Sequence, residues 1–422
     1  MPARPCRKRA PQNRVNQTGV IQVIIGVPRE TAPGEKRVAL SPATVATLAE
    51  KEGVEVLVEQ QAGLLAGFRD QDYEQAGARI VDHERIFGEA ELVLQVQTPG
   101  LNHAGDQDLA LLRKGQTLVG MMDPLANPGF ASTLAEKGVT GVALELVPRI
   151  TRAQAMDVLS SMGMLSGYKS ALLAAVEANR MFPMNMTAAG TLNAARVLVM
   201  GAGVAGLQAC ATAKRLGAMV EAYDVRPAAR EQILSVGAKP VELDLETEEA
   251  EGEGGYAKEQ GDDFLERQRQ QMTEVVARMD VVITTAAVPG AKSPILVTED
   301  MVREMKPGAV IVDLAAERGG NCELTRSGET IVAHDVTIIG PENVPSSLSH
   351  HASQMFGKNM ENLLALLITD EGKLQFDFED QIIQDTVIAH EGEVPQAKMR
   401  ELLGLPAREA PAPREDDADK PS

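Results

Sequence analysis

The stretch RVLVMGAGVAGLQACATAKRLGAMVEAYDVR, residues 196–226, decides how this chain reads. Residues 197–200 are an apolar run too short for a helix, and they lead directly into Gly201-Ala-Gly203-Val-Ala-Gly206, as a strand enters a tight turn. Val204, Leu207, Ala211 and Leu216 then recur at helical spacing, and Gly217 closes the helix. A second apolar run, 219–223, ends in Asp224, about 20 residues past the glycines. Each residue type has a physical task. Gly201 permits the sharp turn, Gly203 lets backbone approach a pyrophosphate, and Gly206 lets the helix pack closely on the strand. The helix N-terminus offers unpaired N–H groups to the phosphates. Asp224 can accept hydrogen bonds from both ribose hydroxyls of NAD and would repel the 2′-phosphate of NADP. Arg226, just beyond, could instead pair with such a phosphate. A glycine motif alone is also an ordinary turn, but strand, helix, second strand and acid in this order point to a dinucleotide, with NAD(H) preferred.

At 422 residues the chain exceeds one ordinary core and suits two α/β domains. Its formal net charge of −19 argues against nucleic acid as a partner, because phosphate binding needs a basic surface. Cys6, Cys210 and Cys322 are far apart and give neither a metal-ligand spacing nor a disulfide framework, so no metal is expected and the cytoplasm is the expected compartment. No run approaches the ~20 apolar residues that cross a bilayer. Residues 1–20 carry Arg4, Arg7, Lys8, Arg9 and Arg14 without an acid or an apolar core, which excludes a secretory signal and reads as a disordered basic extension.

Order begins at Ile21, with IQVIIGVP as a buried strand and RETAPGEKRVALSP as the loop after it. Ser41-Pro42 marks a helix start, and that helix is expected to run to Gly53. Strands and helices alternate through 54–58, 70–77, 92–96, 117–121, 130–137 and 141–146, which predicts a mostly parallel sheet covered on both faces. Residues 149–160, RITRAQAMDVLS, open a long helical stretch into a second unit. That unit continues with strands at 280–285, 309–314 and 336–339 and a helix at 301–305. The segment 244–263, DLETEEAEGEGGYAKEQGDD, cannot form a core strand and reads as a long surface loop. An apolar helix over 352–368 could return to the first unit. The expected fold is therefore α/β, with two Rossmann-like doubly wound domains and a nucleotide site in the cleft between them. Their expected bounds are 21–158 with about 350–405, and 159–349, with 406–422 as a flexible tail.

With these residues in place the chain resembles the NAD(H)-binding alpha subunit of proton-translocating NAD(P) transhydrogenase, a family related to alanine dehydrogenase. The resemblance covers about 21–405 and rests on GVPRE with EKRVALSP, RITRAQAMDVLSS, MTAAGT with the glycine fingerprint, GGYAKE, VITTAAVPG and DLAAERGGNCE. It implies direct, Si/Re-specific hydride transfer between NADH on this chain and NADP(H) on a partner subunit, coupled to proton translocation by membrane-spanning subunits. It also implies a homodimer, held peripherally on the inner face of the cell membrane. By the same resemblance Arg149, Asp157 and Ser160 hold the nicotinamide, with Thr151 and Arg152 beside them, and Gln154 faces the partner. Gly201, Gly203, Val204 and Gly206 take the pyrophosphate, Asp224, Val225 and Arg226 the adenosine ribose, and Ala287 adds a contact. Gly255 and Tyr256 match a mobile loop that folds over the nucleotide. Without the resemblance, 149–160 reads more plainly as an amphipathic helix with a surface Arg–Asp pair.

Alanine dehydrogenase is the alternative. Amino-acid oxidation moves a proton as well as a hydride, so it needs a base and a cation for the carboxylate. Gln97 stands where that enzyme's lysine is expected and Asp123 about where its histidine is expected, leaving only Arg37. Hydride exchange between two nicotinamides needs no such base. A third class, an NAD-binding protein without chemistry, would share the fingerprint but have no reason to keep Gln154 or the GGY loop, and it would fail to exchange hydride with a partner.

Overall fold

The structure, a computed structural model, describes residues 23–102, 104–243, 262–288 and 290–407. The expected extension 1–20, the loop bearing Gly255 and Tyr256, and nearly all of the tail 406–422 lie outside the described residues. Strands β1 (Val23–Val27), β2 (Val54–Glu59), β3 (Arg79–Val81), β4 (Leu92–Gln97), β5 (Thr117–Met121) and β6 (Thr140–Ala143) lie in the first sheet. A separate hairpin is made by β7 (Asn185–Thr187) and β8 (Gly190–Leu192). The second sheet holds β9 (Arg196–Met200), β10 (Met219–Tyr223), β11 (Lys239–Pro240), β12 (Val281–Thr284), β13 (Val310–Asp313), β14 (Thr330–Ala333) and β15 (Val336–Ile339). Last comes β16 (Val387–Ala389), which joins the first sheet.

Strand order is β16-β6-β5-β4-β1-β2-β3 in one sheet and β11-β10-β9-β12-β13-β15-β14 in the other. Every pairing in these two sheets is parallel except at one edge of each, where β16 runs against β6 and β14 against β15. All four residues of β12 and of β13 are buried, as strands covered on both faces must be. The molecule is thus the expected pair of Rossmann-like α/β units.

Helix Pro42–Ala49 starts as its sequence dictates, with the Thr44 N–H donating to Ser41 Oγ and proline in the first turn, but it stops short of Gly53. Residues 149–160 are not one helix. They form a 3-10 turn, Thr151–Met156, and then the helix Val158–Glu177, for which Asp157 is the N-cap. The Asp157 carboxylate takes the Ser160 N–H at 2.8 Å, and a side chain that satisfies this donor ends the preceding turn. β6 likewise gives way after Ala143 to a 3-10 turn, Leu144–Leu146, where a strand was expected.

Helix Ser349–Leu367 buries Ala352, Phe356, Met360, Leu363, Leu364 and Leu367 against Val38, Leu40 and Val56 of the first sheet's core. Burying a side chain of the size of Phe356 contributes ~1.5–3 kcal/mol. The helix Val158–Glu177 serves both cores: Val158, Met162 and Leu165 pack in the first, Ala171 and Ala174 in the second. Gly167 makes the crossing possible, since a Cβ there would stand 2.0 Å from the Ala205 carbonyl oxygen of the helix Val204–Arg215. Among the described residues no helix is long and apolar enough to cross a membrane.

Candidate functional site

Each glycine of the fingerprint has a geometric reason. Gly201 has φ +98°, in the left-handed region, and a Cβ there would meet Thr285 Oγ1 at 2.6 Å. A Cβ on Gly206 would lie 1.8 Å from the Gly201 carbonyl, so helix and strand approach more closely than any other residue allows. Gly203 instead faces open space, and no side-chain hydrogen bond caps the helix Val204–Arg215 that it begins. Val204 is 44% exposed beside it. An uncapped helix N-terminus with open space before it fits a phosphate.

At the end of β10, Asp224 Oδ2 accepts the Ala202 N–H at 2.7 Å, tying the acid to the glycine turn. Arg226 donates to the same carboxylate from its backbone N–H and from Nε, both at 2.9 Å, and from Nη2 at 3.0 Å. Its guanidinium is therefore committed to Asp224. A cavity of about 470 Å³ opens beyond the strand, lined by Tyr223, Asp224, Val225, Arg226, Arg230 and Val241 among others. That volume is in the range of small-molecule pockets.

The loop after β12 is held by two buried polar residues. Asn321 pairs with both backbone groups of Ala286, accepting its N–H at 3.0 Å and donating to its carbonyl at 2.8 Å. Asp313 collects the N–H groups of Ala315, Asn321 and Cys322 and the hydroxyls of Thr284 and Thr325. The stretches VITTAAVPG and DLAAERGGNCE are thus one assembly, and it leaves Ala287 exposed at the rim.

In the first unit, Arg149, Thr151, Arg152 and Gln154 are exposed on the 3-10 turn and its approach. Asp157 and Ser160 are in contact, the Ser160 hydroxyl donating to Asp157 Oδ2 at 2.5 Å. A Cβ on Gly163, one turn beyond Ser160, would lie 3.9 Å from the Ala205 nitrogen, so the helix that Asp157 caps passes the start of the fingerprint helix. Arg152 is turned elsewhere: its Nη1 and Nη2 donate to Asp380 at 2.8 and 2.5 Å.

The sequence reading missed a polar network that joins the two units. Arg37, 3% exposed, is paired with Glu35, and Arg37 Nη2 also donates to Asn343 Oδ1 at 3.1 Å. Glu35 accepts in addition from Gln97 Nε2 at 2.6 Å and Asn343 Nδ2 at 2.9 Å. Burial works against this carboxylate, but the hydrogen bonds and charge of Arg37, helped by Asn343, outweigh it and hold Glu35 at about 2. Glu30 takes the N–H groups of Val96 and Gln97, yet burial, and then the charge of Glu35, push it up to about 8. Asp123 is bound by Arg318 Nη2 at 2.6 Å, and Glu145 receives the Met122 and Asp123 N–H groups. Burial raises Glu145 to about 7. Nothing in the local pattern of EKR, LQVQ or PEN announces that Glu35 meets Gln97 and Asn343, because these partners lie far apart along the chain.

Two parallel-dominated sheet units, one with a complete dinucleotide turn, define the class of the protein. The model of the N-terminal domain of the alanine dehydrogenase/PNT family matches residues 26–166, and that of its C-terminal domain matches 170–397. The chain belongs to this family. It is 44% identical over 373 residues to an NAD(P) transhydrogenase alpha subunit chain of Rhodospirillum rubrum, spanning 88% of this chain and 97% of that protein. It is similar to the crystal structure of transhydrogenase from Sinorhizobium meliloti at a TM-score of 0.76 and 40% identity, covering 89% of this chain and 99% of the other. Alanine dehydrogenase of Bacillus subtilis is a more distant relative, 31% identical over 361 residues, which are 84% of this chain and 87% of that enzyme.

Proposed function

We propose that this chain is the NAD(H)-binding component of a proton-translocating NAD(P) transhydrogenase. Hydride passes directly between NADH in its cleft and NADP⁺ on a partner subunit, with Si/Re stereospecificity, and membrane-spanning subunits couple the exchange to proton movement. The observation that carries the reading is a complete dinucleotide turn in a chain where the groups standing at the alanine dehydrogenase's lysine, histidine and carboxylate-binding arginine positions are taken up by other protein groups. Gln97 and Arg37 are both bonded to Glu35, and Asp123 is bonded to Arg318. Direct exchange needs two rings in near-attack contact with water excluded, and no base.

When bound, the dihydronicotinamide supplies the hydride. In this reading Gly201, Gly203, Val204 and Gly206 seat the pyrophosphate, while Asp224, Val225 and Arg226 take the adenosine ribose and select NAD(H). Arg149, Asp157 and Ser160, with Thr151 beside them, fix the ring, Ala287 closes its side, and Gln154 meets the partner's cofactor. Gly255 and Tyr256 cover the nucleotide. The nucleotide-binding domain is 159–349, and 21–158 with about 350–405 form the other.

The protein works as a homodimer docked on the inner face of the cell membrane. The hairpin of β7 and β8 supports self-association, because Met186 and Leu192 are 74% and 51% exposed on it and Met184, just before it, is 62% exposed. The deciding experiment mixes the full chain and NADH with the NADP⁺-loaded partner subunit and follows hydride exchange. Binding of NADH without any exchange leaves only a nucleotide-binding protein.

A further inference from the structure

The turn Thr151–Met156 is a short 3-10 piece, and such pieces keep their geometry poorly without outside support. Beneath it Ala153 and Met156 are buried, but Arg152, Gln154 and Ala155 are exposed. Two unrelated groups of bonds hold it from outside, and both come from the last part of the chain. The Ala155 carbonyl accepts Asn359 Nδ2 at 2.8 Å and Asn362 Nδ2 at 3.1 Å. These amides stand three residues apart on one face of the helix Ser349–Leu367. On the other side Asp380 receives both terminal nitrogens of Arg152 in a bidentate pair.

Both supports are themselves anchored. Asp380 Oδ1 also accepts the Ile382 N–H at 2.7 Å and so caps the helix Gln381–Thr386, whose Ile382 and Ile383 lie in the first core. Asn359 is 6% exposed, and its Oδ1 is buried without a protein partner. A buried amide left half-satisfied is costly, and an apolar side chain of similar size would avoid that cost. What the amide provides here is the bond to Ala155. The Arg152–Asp380 pair is largely exposed and contributes little to stability, so its effect is on direction.

We propose that Asp380, Asn359 and Asn362 are positioning residues for hydride transfer, which grip the Gln154 turn at Arg152 and Ala155 and so aim Gln154 at the partner's cofactor. The proposal rests on the transhydrogenase reading above. It gives Arg152 the task of orienting the turn rather than touching nucleotide. None of the three touches the surfaces assigned to NADH, so ground-state affinity and transfer rate are separable. A displacement of ~1 Å at a near-attack contact costs about 100-fold in rate, whereas binding is spread over the whole cofactor.

The test uses the full chain carrying Asp380→Asn, Asn359→Ala, Asn362→Ala, or Arg152→Gln with and without Asp380→Asn. Asparagine still caps a helix, so Asp380→Asn removes the ion pair alone. Asn362 is only half-buried, whereas Asn359 is buried, so Asn362→Ala disturbs packing less and serves where Asn359→Ala does not fold. NADH affinity by equilibrium dialysis should stay within about twofold, while single-turnover transfer with saturating NADP⁺-loaded partner falls about tenfold in Asp380→Asn. The double variant should be no slower than either single one, since the two residues act as a unit. Amide hydrogen exchange at Ala153 and Asp157 should accelerate in every variant. Normal transfer in folded Asp380→Asn and Asn362→Ala overturns the proposal, as does a loss of affinity equal to the loss of rate. If the parent protein itself transfers no hydride, the transhydrogenase reading fails, and the exchange measurement still decides this one: unchanged amide exchange overturns it.

Discussion

The carboxylate of Glu35 grips the guanidinium of Arg37 by two parallel hydrogen bonds, Nε to Oε1 at 2.8 Å and Nη2 to Oε2 at 2.7 Å. The same carboxylate holds Gln97, so the cation and the neighbouring amide are engaged with protein. Amino-acid oxidation at this wall would need a free base and a free cation. Pyruvate, ammonium and NADH should therefore give no turnover. Gln97→Lys alone should not restore it, because Glu35 would pair with the new ammonium. Alanine formation by the unaltered protein would return the dehydrogenase reading.

The acid at the end of β10 carries the second prediction. Asp224→Ala removes the acceptor for the ribose hydroxyls and for the Ala202 N–H, and it breaks the Arg226–Asp224 pair. NADH affinity should fall by about 1–3 kcal/mol, the range for charge-assisted hydrogen bonds. NADPH should lose far less, since the carboxylate that repels its 2′-phosphate goes together with the ribose contacts. Equal losses for the two nucleotides in equilibrium dialysis would show that Asp224 does not select between them.

What could be read in advance followed the range of the interactions. The fingerprint was legible because strand, turn, helix and acid are adjacent in sequence, and the roles of Gly201 and Gly206 follow from sterics at two positions. The Thr151–Met156 turn was not legible: its periodicity is that of a helix, and only the Asp157 cap interrupts it. Short edge strands such as β11 and β16, of two and three residues, are below what apolar alternation can reveal. The network of Glu35, Gln97 and Asn343 spans residues brought together only by tertiary folding, and no local pattern encodes it.

Gln154 allows binding and chemistry to be separated. Gln154→Asn keeps the amide and shortens its reach by one methylene. NADH affinity should hardly change, while transfer in the saturated complex drops about 100-fold for a ~1 Å displacement. Collapse of affinity with a normal rate would make Gln154 a ground-state ligand of NADH instead.

Glu30 gives a pH prediction with a definite sign. Its folded-state value of about 8 lies above the ordinary 4.5, so between these values the folded protein holds a proton that the unfolded chain has released. Stability must then fall as pH rises through that window, by about 1.4 kcal/mol per pH unit for one proton. Glu145, raised to about 7, adds to the slope up to that pH. Glu30→Gln disturbs one of the two accepted N–H bonds and lowers stability throughout, but it should flatten the slope. Urea midpoints at pH 5 and pH 8 measure this; a slope undiminished in the variant would assign it to other groups.

The return of the helix Ser349–Leu367 and of β16 to the first sheet sets the order of events during synthesis. The second sheet has all its strands once Ile339 has emerged from the ribosome, whereas the first waits for Ala389 to supply its edge. At ~5–20 residues per second, the nascent N-terminal half stands with an uncovered apolar face for roughly 10–50 s after β6 is made. The unit begun first is therefore finished last, and it is this half that a chaperone must shelter.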